Sequence, residues 1–93
     1  MKWNLETQKK FNLVISKIPL FHRDIAKYAV IKKAEENSKL RNSQIVEEGD
    51  VISAFFSDVP ASFYSVMVRL LEHSGFDYRK YGFPDDNATP DSD

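Results

Sequence analysis

The sequence predicts an all-α protein, a compact four-helix bundle, and three observations carry that prediction. Apolar residues recur at helical spacing in four segments, and prolines or polar clusters separate these segments. A β-compatible run at residues 44–46 is too short to form a sheet by itself. The alternative is an α+β fold in which residues 44–46 pair briefly with the C-terminal segment of the chain.

The first helix is predicted to follow Asn4, whose side-chain oxygen can accept a hydrogen bond from an N–H group of the first turn. It ends before Pro19, because proline lacks an N–H group and its fixed φ suits the first turn of a following helix. Ile18 and Phe21 flank this proline, and we expect both to anchor the joint in the core. The apolar positions of the helix are Leu5, Phe11, Val14, Ile15 and Ile18.

The second helix is predicted from about residue 20 to about residue 37, where Asn37 and Ser38 favour a turn. Two neighbouring apolar stripes run along it, so the helix is apolar over much of its circumference and should lie at the centre of the bundle. The first stripe consists of Phe21, Ile25, Tyr28, Ala29 and Lys32, and the second of Ala26, Val30 and Ala34.

The third helix is predicted to begin near Glu47, because the acidic residues there favour the positive end of the helix dipole. It ends at residues 57–58, and Ile45 is expected to fill the core just before it. The fourth helix has Pro60 in its first turn and ends at Gly75, since glycine adopts the left-handed conformation freely. The two predicted buried faces consist of Val51, Ile52, Ala54, Phe55 and Phe56, and of Phe63, Val66, Met67, Leu70 and Leu71.

We predict one domain over residues 1–84, since a chain of 93 residues leaves no room for a second core. The last part of this domain, residues 76–84, carries four aromatic residues and is interpreted as an extended strap over the bundle. Residues 85–93 contain four aspartates and no large apolar residue, so we expect them to form a disordered acidic tail.

The composition argues against an autonomous enzyme and against a metal or cofactor site. The chain has no cysteine, which removes disulfides, thiolate nucleophiles and cysteine-ligated metals. His22 and His73 each have an acidic residue nearby, but neither pair has the spacing that brings two ligands to one helix face. The three glycines are scattered and form no phosphate-binding loop. We find no stretch long enough for a membrane span and no signal peptide, so a cytoplasmic protein is expected.

Charge is distributed unevenly along the chain although the net charge is only −1. Residues 1–44 contain ten lysines and arginines and four acidic residues. Residues 45–93 contain three lysines and arginines and ten acidic residues. The basic positions of the second helix could contact phosphates, and the aromatic residues of the strap could stack on bases. The candidate contact residues for a partner or an anion are Arg23, Lys27, Lys32, Lys33, Tyr78 and Tyr81.

The order of several residues is also typical of a known family. These residues are Trp3, the joint Ile18-Pro19-Leu20-Phe21-His22-Arg23, Tyr28, Ala34, and Ile45 before a further helix. In this order they resemble the small C-terminal domain found in one subunit of light-independent protochlorophyllide reductase, and the stand-alone proteins similar to that domain. The resemblance covers residues 3–56, and Ile31 and Val46 depart from the family pattern, which has an acidic residue and a threonine there.

The resemblance implies an accessory role, in which the domain packs near the substrate site of a partner subunit in a nitrogenase-like enzyme. We therefore favour a non-catalytic interaction or accessory module without a cofactor, whose partner is another protein subunit. The alternative is a small nucleic-acid-binding protein that uses the basic surface of the second helix. Arg23 lies near a helix start, where the dipole disfavours a cation, so we expect it to face an anion or a carboxylate such as Glu6 or Asp24.

Overall fold

The protein is described over residues 1–83 by a computed structural model with four α-helices in that range. The helices are α1 (Leu5–Ser16), α2 (Leu20–Leu40), α3 (Glu48–Asp58) and α4 (Tyr64–His73). Single turns of 3₁₀ helix at Ala61–Phe63 and Tyr78–Tyr81 flank α4 in the chain. The predicted all-α bundle is therefore confirmed, whereas the predicted tail, residues 85–93, lies outside the described residues.

A two-residue parallel pairing joins the N-terminus to the connection between α2 and α3. Strand β1 (Lys2–Trp3) lies beside β2 (Ile45–Val46), with Trp3 opposite Val46. The short strand at residues 45–46 thus pairs with the N-terminus and not with the C-terminal segment. Val46 is completely buried while Ile45 is 45% exposed, so the residue that fills the core before α3 is Val46 and not Ile45.

Helix α3 supplies the largest share of the buried residues, whereas the sequence predicts α2 as the central helix. The five predicted apolar residues of α3 are all buried, and α2 packs mainly against this helix. Asp50 in the first turn is also buried, because its carboxylate accepts hydrogen bonds from the Glu47 N–H group and from the Arg41 guanidinium. The Arg41 Nη2–Asp50 Oδ2 distance is 2.6 Å, and the second contact, from Nε to Oδ1, is 2.9 Å. This bidentate pair fixes the end of α2 against the start of α3.

Helix α4 and the segment after it differ from the prediction in two respects. Phe63 and Val66 are more than half exposed, while Val68, on the opposite side, is buried. Gly75 takes a φ of +90° at the end of the helix, as predicted. The following segment is not extended, because residues 78–81 form a turn of 3₁₀ helix whose Tyr78 is completely buried. The segment nevertheless covers the core, since the Phe83 ring stacks on Phe56 with 4.4 Å between centroids.

Candidate docking surface on helix α2

Four large apolar side chains in the first half of α2 face solvent. The exposed fractions are 78% for Leu20, 91% for Phe21, 76% for Ile25 and 74% for Tyr28. Phe21, Ile25 and Tyr28 follow i, i+4, i+7 spacing, so they form one continuous face over two helical turns. We call these four residues the apolar face of α2. Single exposed apolar residues are ordinary on protein surfaces, but a contiguous group of this kind marks an interaction site.

The exposure of this face follows from the lengths of the two helices that pack together. Helix α2 has 21 residues and α3 has 11, which correspond to lengths of about 31 Å and 16 Å. The buried residues of α2 are Val30, Ala34 and Ser38, all in its second half, where α3 lies. The expectation that Phe21, Ile25 and Tyr28 belong to the core is therefore wrong, and so is the expectation that Phe21 anchors the joint. Helix α2 also continues to Leu40, beyond the predicted end at residues 37–38.

A signal for this arrangement is present in the sequence. The stripe that contains Phe21, Ile25 and Tyr28 continues into Lys32, whereas the neighbouring stripe continues from Val30 into Ala34 without a charge. A buried lysine without a partner is costly, so the stripe without lysine is the one suited to the core. Small side chains on that stripe also allow close approach of α3.

The base of the apolar face is fixed by Arg23. The Arg23 guanidinium donates to the backbone carbonyl oxygens of Ser16 and Ile18, with distances of 3.0 to 3.2 Å. Carbonyl groups at a helix end lack partners within the helix, and Arg23 satisfies them at the end of α1. The carbonyl groups at the end of α1, and not Glu6 or Asp24, are therefore the negative partner that Arg23 contacts.

The predicted lysines lie on the same helix as the apolar face. Lys27 and Lys32 are exposed, and neither forms an ion pair within residues 1–83. Lys32 continues the Ile25–Tyr28 stripe by one turn, and Lys27 stands seven residues after Leu20 on the adjacent stripe. Lys33 differs, because its Nζ lies 3.9 Å from a carboxylate oxygen of Glu36.

The two predicted tyrosines lie on another element and do not extend this surface. Tyr78 is part of the core, so its ring is not available for stacking on a base. Tyr81 is 39% exposed and lies against Gly49, where an added Cβ would come within 2.9 Å of the ring. Partial burial raises the pKa of the Tyr81 phenol, and the nearby carboxylate of Glu48 raises it further. The tyrosine therefore faces acidic side chains and not the lysines of α2.

Two open clefts of the described region lie outside the turns that carry Leu20, Phe21 and Ile25. An open cleft of about 530 Å³ beside Tyr81 is lined by the Arg41–Asp50 pair, which already satisfies its own charges. The hydrogen bond between Arg41 and Asp50 raises the pKa of Arg41, so the Arg41 guanidinium stays charged. A shallow depression of about 340 Å³ begins at Tyr28 and continues along the second half of α2, past Lys32, Glu35 and Glu36. Within residues 1–83 we find no group of three residues that could hold a metal ion.

Hydropathy and length identify no single helix in residues 1–83 that could cross a membrane. The α3 segment and the segment from Ala61 to His73 pass that test only as a pair, and a bend of 115° separates them. Most of the α3 residues in that pair are buried in the protein core.

Comparisons with protein-family models, with curated proteins and with solved structures give no match for this chain. The resemblance to the protochlorophyllide reductase domain therefore depends on the residues quoted above.

Proposed function

We propose that this chain is a non-catalytic, cytoplasmic interaction module that docks on a larger protein through the apolar face of α2. One observation carries the proposal: Leu20, Phe21, Ile25 and Tyr28 are between 74% and 91% exposed on two consecutive turns. Phe21 and Tyr28 alone present roughly 300 Å² to solvent, which is comparable with the whole largest patch of many monomeric proteins. Burial of such aromatic residues by a partner is a common source of binding energy.

The geometry of the joint supports the same role. Arg23 fixes the first turn of α2 to the end of α1, so the apolar face is held on a rigid element. A rigid face loses little conformational entropy when a partner binds. The resemblance to an accessory domain that packs on a partner subunit is in line with this proposal, and the joint residues Pro19, Phe21 and Arg23 belong to that resemblance.

Site-specific photocrosslinking in the native host tests the proposal. A benzophenone amino acid is introduced in place of Phe21 or Tyr28, and as matched controls in place of Leu5 or Leu40, which are 73% and 81% exposed. We expect a protein adduct of one defined mass from positions 21 and 28 and none from positions 5 and 40. A second substitution, Ile25→Asp, should abolish the adduct from position 21. Absence of an adduct at position 21, or equal adducts at all four positions, would overturn the proposal.

A further inference from the structure

The charges around the apolar face of α2 indicate the chemistry of its partner. Lys27 and Lys32 border the face on α2, and Lys17 precedes the joint. All three lysines are exposed and form no ion pair within the described residues. Over residues 17–36 the bases are Lys17, Arg23, Lys27, Lys32 and Lys33, and the acids are Asp24, Glu35 and Glu36. Five positive and three negative charges leave an excess of two positive charges around the face.

The shape of the face indicates the kind of element that covers it. The face lies on the side of an α-helix and not at the edge of a sheet, so it offers no edge to which a β-strand could add. Side chains at i, i+4 and i+7 form a ridge, and such ridges pack into the grooves of another helix. Helical partners of this kind present their own apolar residues at i, i+3, i+4 and i+7.

We propose that the apolar face of α2 receives an amphipathic helix of another protein, whose apolar stripe is bordered by glutamates or aspartates. This inference rests on the proposed docking function and adds the charge and secondary structure of the partner. Carboxylates on the partner helix face Lys17, Lys27 and Lys32, and its apolar side chains cover Phe21 and Ile25. Complementary charge at the border of an interface favours encounter and selects among partners.

Two other occupants fit these observations less well. In a symmetric pair of this chain, two borders that each carry excess positive charge would face each other, and like charges across an interface are unfavourable. An anionic membrane would attract the lysines as an acidic helix does, so the length of the apolar face is the observation that disfavours it. The face spans only two turns before Lys32, Glu36 and Lys39 begin, whereas helices that bind membranes continue their apolar side over their length.

A pair of designed peptides tests the inference with the full 93-residue chain. Both peptides form amphipathic helices of about 20 residues with the same leucine stripe. One carries glutamate beside the stripe and the other carries lysine at the same positions. We expect the glutamate peptide to bind at least about tenfold more tightly at low salt, with a difference that shrinks as salt is added. Fluorescence anisotropy gives the affinities, and amide chemical shifts identify α2 as the site.

Matched variants separate local from overall charge. The triple variant Lys17→Glu, Lys27→Glu, Lys32→Glu should reverse the preference between the two peptides. The control variant Lys2→Glu, Lys9→Glu, Lys80→Glu changes the net charge equally at exposed positions elsewhere and should keep the preference. Phe21→Ala combined with Ile25→Ala should abolish binding of both peptides.

Several outcomes would overturn the inference. These are equal affinities for the two peptides, no binding of the glutamate peptide, or a preference that the first triple variant leaves unchanged. A dimer in sedimentation that Phe21→Ala disrupts would assign the face to a second copy. Binding to phosphatidylglycerol vesicles that Phe21→Ala disrupts would assign it to a membrane. The proposed docking function is tested separately by photocrosslinking from position 21. If the partner is not acidic, the peptide experiment fails while the crosslink still forms, and if α2 is not a docking surface, the crosslink itself is absent.

Discussion

Arg23 illustrates how one side chain connects two helices. A cation near the start of α2 is unfavourable with respect to the dipole of its own helix. The guanidinium compensates by reaching back to the carbonyl groups of Ser16 and Ile18, which are the negative end of α1. The sequence indicates that Arg23 needs a negative partner, but it does not distinguish a carboxylate from a carbonyl group, because either can lie within reach of a long side chain.

Hydrogen bonds from a charged donor contribute roughly 1.5–3 kcal/mol when buried. Because Arg23 is only half-buried, we expect Arg23→Ala to lower the free energy of unfolding by about 1–2 kcal/mol. Urea denaturation followed by the fluorescence of Trp3 measures the loss. Lys27→Ala, one turn further along the same helix, is the matched control and should change stability by less than about 0.5 kcal/mol. Equal effects of the two substitutions would show that the contacts of Arg23 with α1 contribute nothing.

Tyr81 provides a prediction for alkaline pH. Its pKa is raised in the folded state by burial and by the carboxylate of Glu48, so the folded protein holds this proton more tightly than the unfolded chain does. The resulting contribution to stability is complete below the unfolded pKa of about 10, and it is lost as pH rises through the folded pKa. Tyr81→Phe should therefore lose less stability than the original protein on going from neutral pH to above pH ~10.

Urea midpoints of the two proteins at both pH values measure this difference. The difference in phenolate absorbance between the original protein and Tyr81→Phe gives the titration of Tyr81 directly. A titration at or below the ordinary value of a tyrosine would contradict the prediction.

At the scale of elements, α2 shows why a helix is easier to predict from the sequence than the face that it buries. Periodicity identifies the helix, because both stripes repeat at helical spacing. Which stripe is buried depends on where α3 ends, and that is a property of two helices packed together. The shorter α3 covers Val30 and Ala34 but not the first two turns. Helix α3 has a single apolar face, so only that face could be the buried one, and all five residues predicted to form it are buried.

A comparison of two phenylalanines tests this assignment of faces. Phe21 is 91% exposed and Phe55 is 2% exposed, so Phe21→Ala should change the free energy of unfolding by less than about 0.5 kcal/mol. Phe55→Ala removes a buried ring from the core and should cost about 3–5 kcal/mol. Denaturation midpoints of both variants provide the test. If Phe21→Ala lowered the free energy of unfolding by several kcal/mol, Phe21 would have to be part of the core. A small loss would also make Phe21→Ala a suitable variant for binding experiments.

At the scale of the whole molecule, the parallel pairing of β1 with β2 joins segments that are far apart in the chain. Trp3 contacts the Phe11 ring at 5.2 Å between centroids and donates from Nε1 to Glu35 at 3.3 Å. No local pattern in a two-residue strand identifies its partner, because pairing of this kind depends on the arrangement of the helices. The sequence therefore predicts the helices and the core of α3. For the candidate docking surface it indicates, through Lys32, which stripe of α2 is less suited to the core, but the exposure of the first two turns depends on packing.

At the same scale, the distribution of charge over the described residues favours the proposed docking over nucleic-acid binding. Binding to phosphates requires several basic residues on one surface, and its affinity falls steeply with salt. Of the four predicted basic residues, Arg23 contacts carbonyl groups and Lys33 lies near Glu36, which leaves Lys27 and Lys32 for phosphates. Four acidic residues, Glu47, Glu48, Asp50 and Asp77, act on the phenol of Tyr81. We therefore expect weak binding of labelled duplex and single-stranded oligonucleotides at near-physiological salt, with dissociation constants above about 1 μM.

The variant with Arg23, Lys27, Lys32 and Lys33 replaced by alanine is the matched test, because alanine maintains the helix while it removes the charges. Titration of both proteins at several salt concentrations measures the affinity and its salt dependence. If docking on a protein is the function, the variant and the original protein should differ little in the titration, since two lysines neutralise too few phosphates for tight binding. Submicromolar binding that falls steeply with salt and disappears in the variant would instead favour nucleic acid as the partner of α2.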